Sequence, residues 1–503
     1  MLRFLLNNKL ITTDKPPGML LLDFVRYQER LTGTKIGCRE GDCGACSVLL
    51  GELKEGRLVY RSVTSCLTAL GNVHGKQVVT VEGLNMEGLN PLQEAICEEG
   101  GSQCGFCTPG FIVGMAGFCL SDKEASYKNA LAAVDGNICR CTGYKSIERA
   151  LGKIVTLMQG RKKDGGDPED GQDREAVDFA VDTGLLPAYF KTVRGRLLLL
   201  AVEPKSDGRK SDGRPIQGGA DGPMERGTNG PMERGAKFLG GGTDLYVQQH
   251  ETLPGEDLHF LSGRESMKGI ARVKDRCIIG GAATVTDLME SPVIQEAFPF
   301  FDRYAHLISS TPIRNIATLA GNFVNASPIG DLSVLFLALD ARLLLNNGAS
   351  TRELPLRELY RGYKQLNKSP GEFIELISFD LSGNDSFFHF EKVSKRTCLD
   401  IASVNSALRI RMEGDRIADA HLSAGGVGPI PAYLSGAAAV LRGQLLNESL
   451  VLRAIRAAQA ETSPISDARG TADYKRLLLG QLIKAHFLTL FPTVLRAEKL
   501  LSI

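Results

Sequence analysis

Neither sign of charge dominates this 503-residue chain, because 59 lysines and arginines nearly cancel 58 aspartates and glutamates. Neither a basic field for nucleic acid nor an acidic one for cations is therefore built in. Long apolar runs are missing too. The longest, FIVGMAGFCL and VLFLALDARLLL, are core-sized and fall short of a membrane span. The opening MLRFLLNNKLITTDKPPG is interrupted at Asn7 before it reaches the length of a secretory signal core. These absences argue against nucleic-acid and membrane partners and lead to the expectation of a cytoplasmic protein. In that compartment thiols stay reduced, and clustered cysteines bind metal more often than they form disulfides. Seven histidines are scattered without an H-E-x-x-H, so no separate zinc or acid-base site is expected.

What the chain does have is crowded cysteine. Eight of its twelve cysteines fall into two groups. The first, in IGCREGDCGACSVLL and beyond, is Cys38, Cys43, Cys46 and the distant Cys66. This is C-x4-C-x2-C followed by a remote fourth ligand, the plant-type spacing for a [2Fe–2S] cluster. Gly37, Gly41 and Gly44 suit a loop that must turn its amide hydrogens toward sulfur. Structural zinc favours paired C-x2-C knuckles and fits the four-residue gap poorly. The second group is Cys104 and Cys107 in QCGFCTPG with Cys139 and Cys141 in NICRCTGY. Both halves precede expected helices, whose N-terminal partial charge favours thiolates. C-x-C alone is a weak signal, and it gains weight from the first group. Cys97, Cys119, Cys277 and Cys398 lack partners at ligand spacing and read as small buried hydrophobes.

Along the chain, RFLLNNKLIT predicts a hairpin with Asn7 and Asn8 at the turn, and LLLDFVRYQERLTG a helix closed by Gly33. Strand-like CSVLLGEL, RLVYRSV and QVVTVEGL complete a small mixed sheet. Helices then take over. Thr108 is the expected N-cap with Pro109 behind it, and Gly114 and Gly117 leave room for a neighbouring helix. Ile147, Leu151, Ile154, Val155 and Met158 share one face of a last helix. QGRKKDGGDPEDGQDRE (159–175) is charged and glycine-rich, as in a solvated linker. KSDGR and GPMERG each occur twice between 205 and 235, which suggests a flexible insertion. Beyond 236, strands and helices alternate, with glycine turns at FLGGGTDL and CIIGGAAT. A separate α+β domain is expected from about 385.

The pairing of CREGDCGAC…C with QCGFCTPG…NICRCTGY resembles the iron-sulfur half of the molybdenum hydroxylases, the xanthine dehydrogenases and their relatives. GGGTDL, IRNIATLAGNFVNASPIGD and GGVGPIP resemble that family's flavin part. The resemblance implies a multidomain α+β protein. Its parts would be a β-grasp ferredoxin-like [2Fe–2S] domain (1–84), a helical-bundle [2Fe–2S] domain (85–158), the linker (159–175), an α+β FAD-binding domain (176–383, insertion 205–235) and a C-terminal α+β domain (384–503). It further implies that Cys38, Cys43, Cys46 and Cys66 hold one cluster and Cys104, Cys107, Cys139 and Cys141 the other. Gln103 and Cys141 would reach toward a molybdopterin on a partner chain.

A lone Gly-Gly-Gly is usually only a turn. The resemblance makes Gly240, Gly241, Gly242, Thr243 and Asp244 a flavin turn, because backbone amides there can approach a pyrophosphate. It also places Thr318, Gly321, Asn322, Asn325 and Asp331 around FAD. Lys392, in HFEKVSKRTCLDIA, matches a lysine that contacts the cofactor; the residue alone would equally suit an exposed surface lysine. The implied function is an electron-transfer subunit, with NAD⁺ as acceptor and xanthine or hypoxanthine oxidised on a molybdopterin-binding large subunit, in a hetero-oligomer such as a dimer of heterodimers. No catalytic residue for the substrate is expected in this chain. The same relay for an aldehyde or N-heterocycle hydroxylase, and a non-catalytic iron-sulfur carrier, are the competing readings.

Overall fold

The computed structural model describes residues 1–163, 176–202, 237–381, 383, 385–396 and 399–501. These fall into two compact units. The first comprises the described residues up to 202 together with 241–260 and 310–316, and the second the remainder. Cys398, the repeats at 205–235 and residues 164–175 of the expected linker lie outside the described residues. Among those described, no helix is long and apolar enough to cross a membrane.

The first unit opens with the expected hairpin, β1 (Leu2–Leu6) and β2 (Lys9–Thr13), with Asn7 at a φ of 53° in the turn. Strands β3 (Ser47–Lys54), β4 (Arg57–Thr64) and β5 (Gln77–Val79) complete a mixed sheet of order β2-β1-β5-β3-β4, in which β1 and β5 run parallel. Strand periodicity sorts the side chains by face. Phe4, Leu6, Val48, Leu50 and Val63 pack with Leu21, Phe24 and Val25 from one turn of helix, α1 (Leu21–Asp23), and the wider π turn that continues it at Phe24–Gln28. Leu49 and Val79 face the opposite way and enter a helical core. Burial on both faces explains why β3 reads as a continuous apolar run. The helix ends at Gln28 instead of running to Gly33. Arg30 sits at a φ of 58°, and the Arg26 guanidinium donates to the carbonyls of Thr32 and Thr34, which holds that stretch as a loop.

The helical part contains α2 (Pro91–Glu98), started by a reciprocal cap between Asn90 and Gln93, then α3 (Thr108–Cys119), α4 (Tyr127–Ala133) and α5 (Lys145–Lys163). A side chain at Gly114 would lie 3.0 Å from Val134 at the end of α4, the close helix approach expected of it, whereas one at Gly117 would lie 3.2 Å from Leu49, so Gly117 makes room for strand β3 and not for a helix. The N-cap of α3 is Cys107, one residue before Thr108, whose hydroxyl instead pairs with Ser102 at 2.8 Å. Ile147, Leu151, Ile154, Val155 and Met158 are all buried along α5, which itself runs through the first residues of the expected linker to Lys163. Past the linker, α6 (Ala176–Asp182) and the start of α7 (Phe190–Val202) add Val177, Phe179, Ala180 and Phe190 to this same core. Val193 and Leu197 of α7 cover Leu5 of β1. Residues 176–202 thus finish the iron-sulfur unit and start no new core.

Residues 310–316 also belong here. Arg314 is almost wholly buried and pairs with Asp135, which accepts from the Thr311 amide at 2.7 Å as well.

In the second unit, a five-stranded antiparallel sheet is built from Thr351–Pro355, Arg342–Asn346, Phe373–Asp380, Arg276–Gly280 and Ile270–Val273, in that order. A second sheet runs Ser386–Val393, Val404–Glu413, Arg416–Gly425 and Ala432–Tyr433. Helices Glu448–Ala460 and Ala472–Leu490 pack with it, as expected of an α+β C-terminal part. The helix Asp331–Ala338 is buried from Leu332 to Ala338 and, past Asp331, is apolar on every side but for Ser333, as suits an enclosed helix. Its side chains join the core beneath the first sheet, and its Val334 carbonyl accepts from Ser423 of the second at 2.6 Å.

Candidate redox-centre sites

The first thiol group sits on the loop before β3 and on the turn after β4, so the sheet itself brings Cys66 to Cys46, 3.3 Å between sulfurs. Backbone amides point at the sulfurs: Cys38 N donates to Cys43 Sγ at 3.4 Å and Glu40 N to Cys38 Sγ at 3.3 Å. Local backbone makes this possible. Gly41 and Gly44 hold φ of 81° and 66°, and a side chain at Gly37 would lie 2.6 Å from Cys43 Sγ. The loop is pinned by Arg39, which forks onto Asp23 at 2.7 and 3.2 Å, a pair that carries no spacing signal in the sequence.

The second group straddles the start of α3 and the loop before α5. Cys104 and Cys141 are exposed with sulfurs 3.5 Å apart, whereas Cys107 and Cys139 are buried. Thr142 donates its amide to Cys139 Sγ at 3.4 Å, and its hydroxyl lies 3.1 Å from the same sulfur. Gln103 is exposed beside Cys104.

All eight expected ligands therefore gather, and they gather two by two: Cys38 with Cys43, Cys46 with Cys66, Cys104 with Cys141, and Cys107 with Cys139. One thiol of each pair is tilted toward its thiolate. The Cys43 thiol, with the Glu40 and Asp42 amides, holds Cys38 down to about 5, and Cys66 likewise lowers Cys46. Cys104 is lowered by the Phe106 amide and by Cys141. Burial pushes Cys139 up, but the Thr142 hydroxyl and amide outweigh it. The fourth pair's other member, Cys107, is pushed up to about 12 by burial. A [2Fe–2S] cluster asks for two thiolates on each of two irons and amide donors to sulfur, and this donor set fits it. Among the described residues no three His, Cys, Asp or Glu side chains surround a single point as a lone metal ion would require.

The expected flavin residues are placed as follows. In the first unit, Gly242 takes a φ of 84° and leads into the helix Thr243–Gln249, with Asp244 exposed in its first turn. In the second, Thr318 caps the helix Leu319–Asn325 by accepting from the Gly321 amide at 3.2 Å. A side chain at Gly240 or at Gly321 would each come within 2.7 Å of that same Thr318 hydroxyl, so the sequence keeps this corner free of Cβ atoms. Such a cleared backbone suits the approach of a phosphate. Asn322 Oδ1 accepts from the amide and hydroxyl of Ser333, both at 3.1 Å, and fixes this helix to the start of the next. Asn325, at the far end, is held by Lys364.

Asp331 is the centre of a second knot. Lys392 Nζ donates to it and to the Leu307 carbonyl, both at 2.7 Å, with its side chain 2 % exposed, so it is no surface lysine. Asn405 donates to the other carboxylate oxygen at 2.6 Å and leaves its own buried Oδ1 without a partner. Asn405 immediately precedes the run SALRIRM in the strand Val404–Glu413, where nothing marks it as polar machinery.

The comparisons with known proteins follow this division. The chain matches a 2Fe-2S iron-sulfur cluster binding domain over residues 4–70 and a [2Fe-2S] binding domain over 80–152. It matches the FAD binding domain in molybdopterin dehydrogenase over 228–379 and the CO dehydrogenase flavoprotein C-terminal domain over 389–490. Two iron-sulfur domains and a flavin domain in one chain define an iron-sulfur flavoprotein, an oxidoreductase built for electron transfer. Xanthine dehydrogenase of Emericella nidulans is 29% identical over 90% of this chain and 36% of its own. Xanthine dehydrogenase 1 of Arabidopsis thaliana is 28% identical over 92% and 37%. A solved carbon monoxide dehydrogenase from Hydrogenophaga pseudoflava is similar at 26% identity and a TM-score of 0.49, over 51% of this chain and 90% of that one. The chain belongs to the molybdenum hydroxylase family, and it spans less than half the length of the curated relatives it matches.

Proposed function

We propose that this chain carries electrons from a molybdopterin site on a partner polypeptide to NAD⁺, in the oxidation of xanthine or hypoxanthine in the cytoplasm. The observation that carries the reading is the two-by-two gathering of eight thiols on one unit, one group half exposed at Cys104 and Cys141 and the other set against the sheet. When bound, the clusters supply one-electron steps and the flavin the conversion between these and a hydride. The protein's share is positioning. Amides of Cys38, Glu40 and Thr142 face sulfur and stabilise negative charge there. The cleared corner at Gly240, Thr318 and Gly321 would admit the dinucleotide's phosphates, and the Asp331–Lys392 knot would hold a carboxylate ready for the flavin's hydroxyl groups.

Exposure of Gln103, Cys104 and Cys141 favours this edge as the one turned to the molybdopterin-bearing partner, in a hetero-oligomer. The names of the curated relatives, xanthine dehydrogenases, support xanthine as the substrate. The test is a pair of assays on the purified, cofactor-loaded chain. It should reduce an artificial dye with NADH and leave xanthine untouched, and xanthine-dependent NADH formation should return when the partner is added. Gln103→Ala should weaken that return without changing dye reduction. Xanthine oxidation by the chain alone would contradict the division of labour, and a flavin-loaded chain inert to NADH would contradict the acceptor.

A further inference from the structure

The loop that carries Cys43 and the loop that carries Cys139 touch through hydrogen bonds of their own. Ile138 N donates to the Cys43 carbonyl at 3.0 Å, which leaves one peptide between that bond and Cys139. Beside it, Asn137 Nδ2 donates to the Gly44 carbonyl at 3.0 Å. A ligand of the first group is thus joined to a ligand of the second by covalent bonds and a single hydrogen bond.

Asn137 is an unusual occupant of this seam. It is 6% exposed, and its buried Oδ1 has no hydrogen-bond partner. An unsatisfied buried acceptor costs about 1–3 kcal/mol. Three glycines, Gly110 and Gly114 of α3 and Gly44 of the loop before β3, are cleared around it. A side chain at Gly44 would lie 2.5 Å from Asn137 Nδ2, one at Gly110 2.8 Å from the same atom, and one at Gly114 3.6 Å from its Oδ1. Gly110 also stands so close to the Gly44 carbonyl, 2.4 Å for an added Cβ, that α3 itself presses on the seam. Behind Asn137, its own amide donates to the Val134 carbonyl at 3.0 Å, and Asp135 is locked by Arg314 and Thr311. Packing alone would be better served by an apolar residue here. An amide is retained where its donor clamps one loop to the other.

We propose that Asn137 is the positioning residue for electron passage between the two cluster sites: its side chain fixes the Cys43 carbonyl against the Ile138 amide and so sets the coupling between them. The inference rests on the reading that both thiol groups hold [2Fe–2S] clusters. It moves no atom and needs no reactant beyond the electron that the relay already carries.

The experiment uses the full chain with both clusters loaded, as wild type, Asn137→Asp and Asn137→Ala. Asp keeps the shape and removes the donor; Ala empties the cage. A control, Ile147→Val, weakens the same helical core away from the seam. Five quantities are read: iron content with both paramagnetic signals, the magnetic splitting between the two reduced clusters, the rate at which an electron injected by a light pulse equilibrates between them, hydrogen exchange of the Ile138 amide, and the melting temperature. Both Asn137 variants should keep four irons and both signals, by the ligand count of two clusters. They should lose the splitting, equilibrate severalfold more slowly and exchange the Ile138 amide faster. Ile147→Val should lower the melting temperature and change none of these. Equal splitting and equal rates in wild type and both variants would overturn the proposal. A wild type without two iron-sulfur signals would instead overturn the cluster reading on which it rests. Should Asn137→Ala fail to fold, Asn137→Asp decides alone, because it alters no volume.

Discussion

A buried lysine and a buried carboxylate stand or fall together. Lys392 is held by Asp331 and the Leu307 carbonyl, so Lys392→Met strands the carboxylate and should cost about 3–5 kcal/mol. Chemical denaturation of the flavin-free chain measures this, and an unchanged midpoint would mean that the pair is solvated. At the thiols, Cys43→Ser should remove one iron-sulfur signal and Cys107→Ser the other, each leaving its neighbour intact, as read by low-temperature paramagnetic resonance. The cysteines were legible in the sequence because most ligands of each cluster lie close together along the chain. Lys392 was only half legible, since a lysine in a loose motif looks alike on a surface and in a knot. Asn405, Asn137 and the Asp23–Arg39 fork were not, because each has its partner many residues away and none sits at a ligand spacing.

Among elements, the helix Leu319–Asn325 depends on its first residue. Thr318→Ala removes the hydroxyl that receives the Gly321 amide and should cost about 1 kcal/mol. Gly240→Ala would drive a methyl to 2.7 Å from the same hydroxyl and should lower flavin content as well as stability. Comparing flavin-to-protein ratios of the two variants separates cap loss from blocked approach.

A pH dependence belongs to the joint between strand Ser386–Val393 and helix Ala472–Leu490, where His389 and His486 face each other, Nδ1 to Nδ1, at 2.8 Å. Burial, with Arg303 nearby, pushes His389 down to about 4, and burial together with His389 also lowers His486 well below the ordinary histidine value. The folded state therefore binds fewer protons than the unfolded one. Stability from this pair is complete above about 6.5, the ordinary histidine value, and is lost as the pH falls toward 4. A double variant, His389→Gln with His486→Gln, should flatten that part of the melting-temperature profile. Strand and helix identities were largely readable from periodicity, but ends were not. Thr108 gave way to Cys107 as cap, and the helix at Leu21 stopped at Gln28, because side-chain partners such as Arg26 with Thr32 and Thr34 decide where a helix yields to a loop.

At the scale of the chain, the boundary between the iron-sulfur and flavin parts was the least legible feature. A charged run at 159–175 marks a change of composition, yet Val177, Phe179 and Phe190 return to the helical core. Composition reports solvation of a segment and carries no information about which core its flanks rejoin. Truncation after 158 should therefore expose Ile154, Val155 and Leu5 and yield an unstable fragment, whereas a fragment through 202 should fold more stably, as limited proteolysis would show. The central claim is that this chain joins flavin chemistry to two iron-sulfur centres, and one titration tests it. NADH is added stepwise, without air, to the purified cofactor-loaded chain while flavin absorbance and paramagnetic resonance are followed together. The account predicts that the flavin band bleaches and that two distinct iron-sulfur signals rise with it. Bleaching of the flavin with no iron-sulfur signal, or a chain carrying stoichiometric zinc and no visible absorbance, would contradict it.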